Sequence, residues 1–88
     1  LAEGMDHIMA EFALCMRKDE SPESTKAQNL VKMLQNHITK NYYLCTNEIL
    51  AGLGQMYVAD ERFTNNIDKH ADGTATFICE AIAVYCSK

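Results

Sequence analysis

Residues 52–69 read GLGQMYVADERFTNNIDK, and their spacing decides the fold. Leu53, Met56 and Tyr57 continue an apolar i, i+3, i+4 pattern that starts at Ile49 and Leu50, so a helix enters this stretch from its N-terminal side. Asp60 interrupts the pattern at a position suited to a cap. Phe63 and Ile67 then resume it four residues apart, as one face of a second, shorter helix requires. Gly52 and Gly54 fall inside the first of these helices, where each glycine costs about 1 kcal/mol against alanine. Close approach of another helix, or of a ligand, is the expected reason for both.

Working outward, Thr46 caps that helix, which runs to about Ala59, and Asp60 caps a helix over 61–69. Upstream, Met5, Ile8, Met9, Phe12, Cys15 and Met16 mark an amphipathic helix over roughly 2–18. The segment KDESPES ends it. Ser21 as cap, Pro22 in the first helical position and Glu23 at the positive end of the dipole predict a second helix over 22–40. Its buried stripe is Ala27, Leu30, Val31, Leu34 and Ile38, with Met33 and His37 on the neighbouring face. Asp72 caps a last helix over 73–86, with Ala75, Ile78, Ala81, Ile82 and Tyr85 facing inward. The expectation is one all-α domain over residues 1–88, with five helices and no sheet.

Composition narrows the function. Forty-eight per cent hydrophobic against 23% charged is globular, not disordered. The apolar runs ILAGLG and AIAVYC are too short for a bilayer span, which takes about 20 residues. Glu3, Asp6 and Glu11 near the start argue against a secretory leader. A first residue of Leu1 is read as a fragment of something longer. Residues 1–44 carry six acids and five bases, and residues 45–88 six acids and three bases, for a net charge of −4. No segment clusters Lys or Arg as phosphate neutralisation demands, so this segment makes no direct nucleic-acid contact.

Chemistry is equally sparse. Cys15, Cys45, Cys79 and Cys86 form no CxxC and no Cys/His cluster. Cys79 and Cys86 would lie about 10 Å apart along a helix, too far to bridge. Free thiols in a reducing cytoplasm are expected. Asp60 and Glu61 read as a cap and an ion-pair partner of Arg62 rather than an acid–base pair. With no nucleophile–base set the chain is not expected to be an enzyme. His37 is the sole candidate for a haem ligand and is read instead as a satisfied histidine. No cofactor is expected.

Residues 38–68, ITKNYYLCTNEI followed by LGQMYVADERFTNNID, resemble the TipAS antibiotic-recognition domain, and the Ala81–Ile82 pair and the SPES break fit the same layout. The resemblance implies a globin-like helical bundle without haem. It also implies a hydrophobic cleft for bulky peptide-like antibiotics such as thiopeptides. Relatives of this kind are ligand-sensing parts of cytoplasmic bacterial transcription activators of the MerR type. In those, a separate N-terminal domain contacts DNA and a coiled coil makes the dimer. The alternative is a stand-alone drug-sequestering or helical protein-interaction domain.

In thiopeptide-binding members a cysteine stands immediately before LGxMY, where it can add to dehydroalanine units of the ligand; here that position is Gly52. The resemblance therefore places the cleft around Gly52 and makes covalent capture unexpected. Helical neighbours of Gly52 include Cys45, Ile49 and Met56, while Leu50, Leu53 and Tyr57 take the opposite, core stripe. The expected ligand-binding set is Met33, His37, Tyr42, Tyr43, Cys45, Ile49, Gly52 and Met56. Each has a plainer reading: Cys45 as an inert packed thiol, Tyr42 and Tyr43 as a core–solvent split, His37 as a local hydrogen-bond partner. His70 is read as complementing the fourth helix's dipole. The first helix, joined through the polar KDESPES segment, is expected to close over an occupied cleft, its Met5, Met9 and Phe12 stripe covering ligand as well as core.

Overall fold

The computed structural model describes the backbone of residues 2–88 and the side chains of residues 4–88. Among these residues there are five helices and no strand: α1 (Ala2–Arg17), α2 (Thr25–Asn41), α3 (Asn47–Ala59), α4 (Glu61–Asp68) and α5 (Thr74–Cys86). The most extensive packing is α3 on α5; α1 packs on α2 and α5, and α4 on α3 and α5.

The expected core is the observed one for α2 and most of α1, where Met5 and Met16 are only partly buried against it. Ile8, Met9, Phe12 and Cys15 are buried, as are Ala27, Leu30, Val31, Leu34 and Ile38. From α5, Ala75, Ile78, Ala81 and Ile82 join them, together with Phe77, which stands edge-on to Phe12 at 6.4 Å between ring centroids. On α3, Leu50 and Tyr57 are buried, but Leu53 is only half-buried against the core. The two α3 glycines separate. A Cβ on Gly54 would lie 3.3 Å from Ile82 Cδ1, whereas one on Gly52 would meet nothing within 4 Å. Gly54 is therefore the site of close helix approach, and Gly52 faces open space.

Local hydrogen bonds set the element ends. α1 closes with Glu20 N donating to Cys15 O (3.2 Å) and Asp19 N to Met16 O (3.1 Å), with Asp19 at φ 61°. That is a Schellman arrangement in which Asp occupies the left-handed position glycine usually takes. α2 starts three residues later than the sequence suggests. Its cap is Ser24, whose hydroxyl accepts from Ala27 N at 3.1 Å, rather than Ser21. The reason is Gln28: its amide donates to Pro22 O (2.8 Å) and across the core to Ala81 O (3.1 Å), holding residues 22–24 as a turn.

Thr46 and Asp60 cap α3 and α4 as expected, and Asp60 also pairs with Arg62 at 3.1 Å. For α5 the expected cap, Asp72, is replaced by Asp68, whose carboxylate accepts from Gly73 N (3.2 Å) and Ala75 N (2.8 Å). Gly73 lies at φ 90°, so the chain enters α5 through a backbone state that disfavours a side chain there.

A second polar hub centres on Gln35, two turns further along α2 from Gln28. Gln35 donates to Cys45 O (3.0 Å) and Asn47 Oδ1 (2.8 Å) and accepts from Tyr85 Oη (3.1 Å), joining α2, the α2–α3 turn and α5.

Two stability outcomes are expected. Leu50→Ala, which empties a fully buried site, should cost about 2–5 kcal/mol, and the half-buried Leu53→Ala less; chemical denaturation midpoints compare them. Asp68→Ala should cost about 1–2 kcal/mol by orphaning the Gly73 and Ala75 amides at the start of α5, while Asp72→Ala should stay within about 0.5 kcal/mol. Equal losses from the two aspartates would contradict the capping assignment.

Candidate functional site

Between α1 and α4 the helices leave a groove of ≈ 510 Å³, lined by Met5, Asp6, Met9, Tyr42, Tyr57, Phe63, Asn66, Ile67 and Lys69. Its volume falls in the range of small-molecule sites, about 300–1,000 Å³. Sequence periodicity builds its walls. Met5 and Met9 are one turn apart on α1, and Phe63, Asn66 and Ile67 share a face of α4 by the i, i+3, i+4 rule. Tyr57 reaches it from α3, and its ring lies 6.1 Å from that of Phe63. Thr64 Oγ1 donates to Tyr57 O at 2.6 Å, fixing the start of α4 against the end of α3.

The electrostatics are asymmetric. Tyr57 is 6% exposed, and burial pushes its phenol up to about 12, so it is a neutral O–H over the physiological range. At the rim, Asp6 Oδ1 meets Lys69 Nζ at 3.3 Å and His70 Nε2 at 3.2 Å. The hydrogen bond from Lys69 is the main cause that holds the Asp6 carboxyl below its ordinary value. His70 thus reaches back to α1 across 64 residues of sequence, beyond the end of α4 at Asp68, instead of serving only that helix's dipole.

Of the eight side chains expected at the cleft, Tyr42 lines this groove. His37 sits behind it. Its ring packs on the α1 backbone, where a Cβ on Gly4 would lie 2.6 Å from Cε1, and stands edge-on to Tyr42 at 6.1 Å. Asn41 Nδ2 approaches His37 Nδ1 at 3.2 Å, and His37 Nε2 is buried without a partner among the described residues. Met33 borders a separate shallow hollow between α1 and α2, with Glu11, Lys26 and Leu30. Tyr43, Ile49 and Gly52 are exposed, and Met56 is half-buried against the core. Cys45 belongs to the core cluster. Met5 and Met9 were expected over a ligand only as the face of a closing first helix, and Tyr57, Phe63, Asn66, Ile67 and the Asp6–Lys69 pair were not expected there. Met5 and Met9 carry core spacing, which gives no sign of a groove, and the α1–α4 juxtaposition leaves no trace in local sequence.

Thiol chemistry is muted. Burial raises the thiols of Cys45, Cys79 and Cys86 above their ordinary range. Cys86 Sγ faces the carbonyl of Asn47 at 3.4 Å, an acceptor that favours the protonated form. Among the described residues no group of His, Cys, Asp and Glu is arranged to hold a metal, and no helix is long and apolar enough to cross a membrane.

Comparison with known proteins converges on one family. The transcriptional activator mta of Bacillus subtilis is 39% identical over 84 residues, covering 90% of this chain and 33% of that protein. The activator TipA of Streptomyces coelicolor is 36% identical over 77 residues, covering 88% of this chain and 30% of its own length. The chain thus spans about a third of the length of these curated relatives. Among solved structures, TipAS of Streptomyces lividans in complex with nosiheptide, a thiopeptide antibiotic, superposes with a TM-score of 0.89 at 33% identity, covering 97% of this chain and 59% of that one. This match bears out the all-α, globin-like bundle. The family model of the TipAS antibiotic-recognition domain matches residues 1–85, and the chain belongs to that family.

Proposed function

We propose that this chain is the ligand-sensing domain of a cytoplasmic MerR-type transcription activator. In this reading the groove between α1 and α4 seats a bulky, mostly apolar, peptide-like antibiotic. The observation that carries it is the groove itself, with aromatic walls from Tyr42, Tyr57 and Phe63 and a thioether wall from Met5 and Met9. Flat aromatic faces and adaptable methionines suit ring-rich ligands of varied outline. The family membership supports the ligand class, because the structural relative binds nosiheptide. A net charge of −4 agrees with DNA contact being made by a separate segment, as the activator names of the relatives imply.

Capture should be non-covalent. Gly52 stands where the family's ligand-reactive cysteine would be, and burial holds the thiols of Cys45, Cys79 and Cys86 in their protonated form. The bland alternative, an interaction module without a small-molecule ligand, predicts no response to antibiotic.

Three measurements check this. Nosiheptide at 100 times its Kd should add about 2.7 kcal/mol, a rise in Tm of roughly 11–22 °C for a domain of this size. Phe63→Ala should weaken that binding about tenfold or more, and Met56→Ala much less; the reverse order would move the site to the Gly52 face. Intact-mass spectrometry after incubation with nosiheptide should show the unmodified chain. Gly52→Cys, in open space, should acquire a ligand adduct, and a stable adduct on the native chain would refute non-covalent capture.

A further inference from the structure

We propose that Cys45 and Cys86 form a redox-modification site: a low-molecular-weight disulfide oxidises the two thiols to one bond, which staples the end of α5 to the α2–α3 turn. Neither cysteine lines the groove, so the site stands independently of the antibiotic reading.

The geometry comes first. Two consecutive residues of α5 reach the α2–α3 turn and the start of α3. Tyr85 Oη donates to Gln35 Oε1 (3.1 Å), and the amide of Gln35 donates to Cys45 O (3.0 Å) and Asn47 Oδ1 (2.8 Å). Cys86, the last residue of α5, places its Sγ 3.4 Å from Asn47 O. Cys45 Sγ lies 3.9 Å from Thr46 O. The two thiols thus face the carbonyls of adjacent residues, whose Cα atoms are about 3.8 Å apart. Burial pushes the Cys45 thiol up and negative charge on Cys86 pushes it further, as two neighbouring sulfurs require. The other cysteines stand elsewhere: Cys15 is fully buried on α1, and Cys79, two turns before Cys86, faces Gln55 Nε2 at 3.8 Å. Cys86 also occupies the terminal turn of its helix, where helices fray, so it can leave the Asn47 carbonyl without unpacking Ile78 or Ile82.

Burial orders the chemistry. Cys86 is half-buried, whereas Cys45 is 3% exposed, so the oxidant meets Cys86 first. The Cys86 thiolate attacks one sulfur of the oxidant, forming a mixed disulfide and expelling the other sulfur as a thiolate. The Cys45 thiolate then attacks Cys86 Sγ, forming the Cys45–Cys86 bond and expelling the second thiolate. The two cysteines give up two electrons and two protons; one oxidant disulfide takes them and becomes two thiols. Burial raises both cysteines, and the thiolate is the nucleophile, so closure speeds up as pH rises. A reducing cytoplasm keeps the pair open, and an excess of oxidant closes it.

The test incubates the ligand-free native chain, C79A and C86A with glutathione disulfide at about pH 8.5, near the ordinary thiol range. Remaining thiols are blocked, and intact masses and cysteine-bearing peptides are measured without reduction. The native chain and C79A should each lose two hydrogens and yield a Cys45–Cys86 link, with Tm raised by about 10 °C or more. A reducing thiol should reverse both changes. C86A should form no internal link and keep its reduced-state Tm under oxidant. In denaturing urea the native chain's links should spread among its four cysteines, because folding is what pairs these two. Four free thiols, a lasting glutathione adduct without closure, or a link through Cys79 overturns the assignment. So does a Cys45–Cys86 bond that forms as selectively in urea as in the folded chain.

Discussion

Gly54 leaves the α3 backbone bare where Ile82 of α5 lies across it, and the remaining geometry follows from that close approach. Side chains of ordinary size hold helix axes about 8–10 Å apart; a glycine at the crossing brings one pair nearer the lower end. With α5 drawn onto α3, the carbonyl of Ala81 comes within reach of Gln28 and the hydroxyl of Tyr85 within reach of Gln35. Each is a buried or half-buried polar link that loses strength steeply with distance. They tie α2 to α5 at two points. A residue with a flexible Cβ substituent at position 54 would push Ile82 away and strain both links together.

The same crossing creates the groove. α1 leans on α2 and α5, while α4 leans on α3 and α5, so the two flanking helices share a support and leave a gap between them. Tyr57 belongs to the face of α3 that turns toward this gap, and the Asp60 junction folds α4 back so that Phe63 covers the tyrosine ring. Core and groove wall are therefore continuous. Met9 is buried in the core cluster and also lines the groove. Asp6 meets Lys69 and His70 at the rim, and because these groups are half-exposed or near solvent the contact orients more than it stabilises.

What the sequence disclosed was what depends on neighbours a few residues away. Helical spacing identified all five elements, the Thr46 and Asp60 caps and nearly every buried position of α1 and α2. The cap of α2 went to Ser24 over Ser21 because Gln28, through its link to Ala81, selects between two locally equivalent serines. Asp68 displaced Asp72 at α5 because the turn through Gly73 aims two amides back toward it. Leu53 shows the converse: its helical position suits a core, but the α3–α5 crossing is centred on Gly54 and leaves Leu53 at the margin. The site was less legible than the fold. A groove between α1 and α4 is made by contacts across some 60 residues, and the methionines that line it carry the same spacing as methionines that fill a core.

This arrangement bears on how occupancy is felt elsewhere in the chain. A ligand can shift a conformational equilibrium only through contacts that differ between the states. α1 is divided in that respect. Its C-terminal half, with Phe12 and Cys15 fully buried and the Asp19 turn closing the helix, belongs to the core. Its N-terminal half offers Met5 and Asp6 to the groove, and His37 packs directly on its backbone at Gly4. In the proposed reading, a molecule seated between Phe63 and Met5 would touch the first turns of α1, whereas the later turns are held by the core.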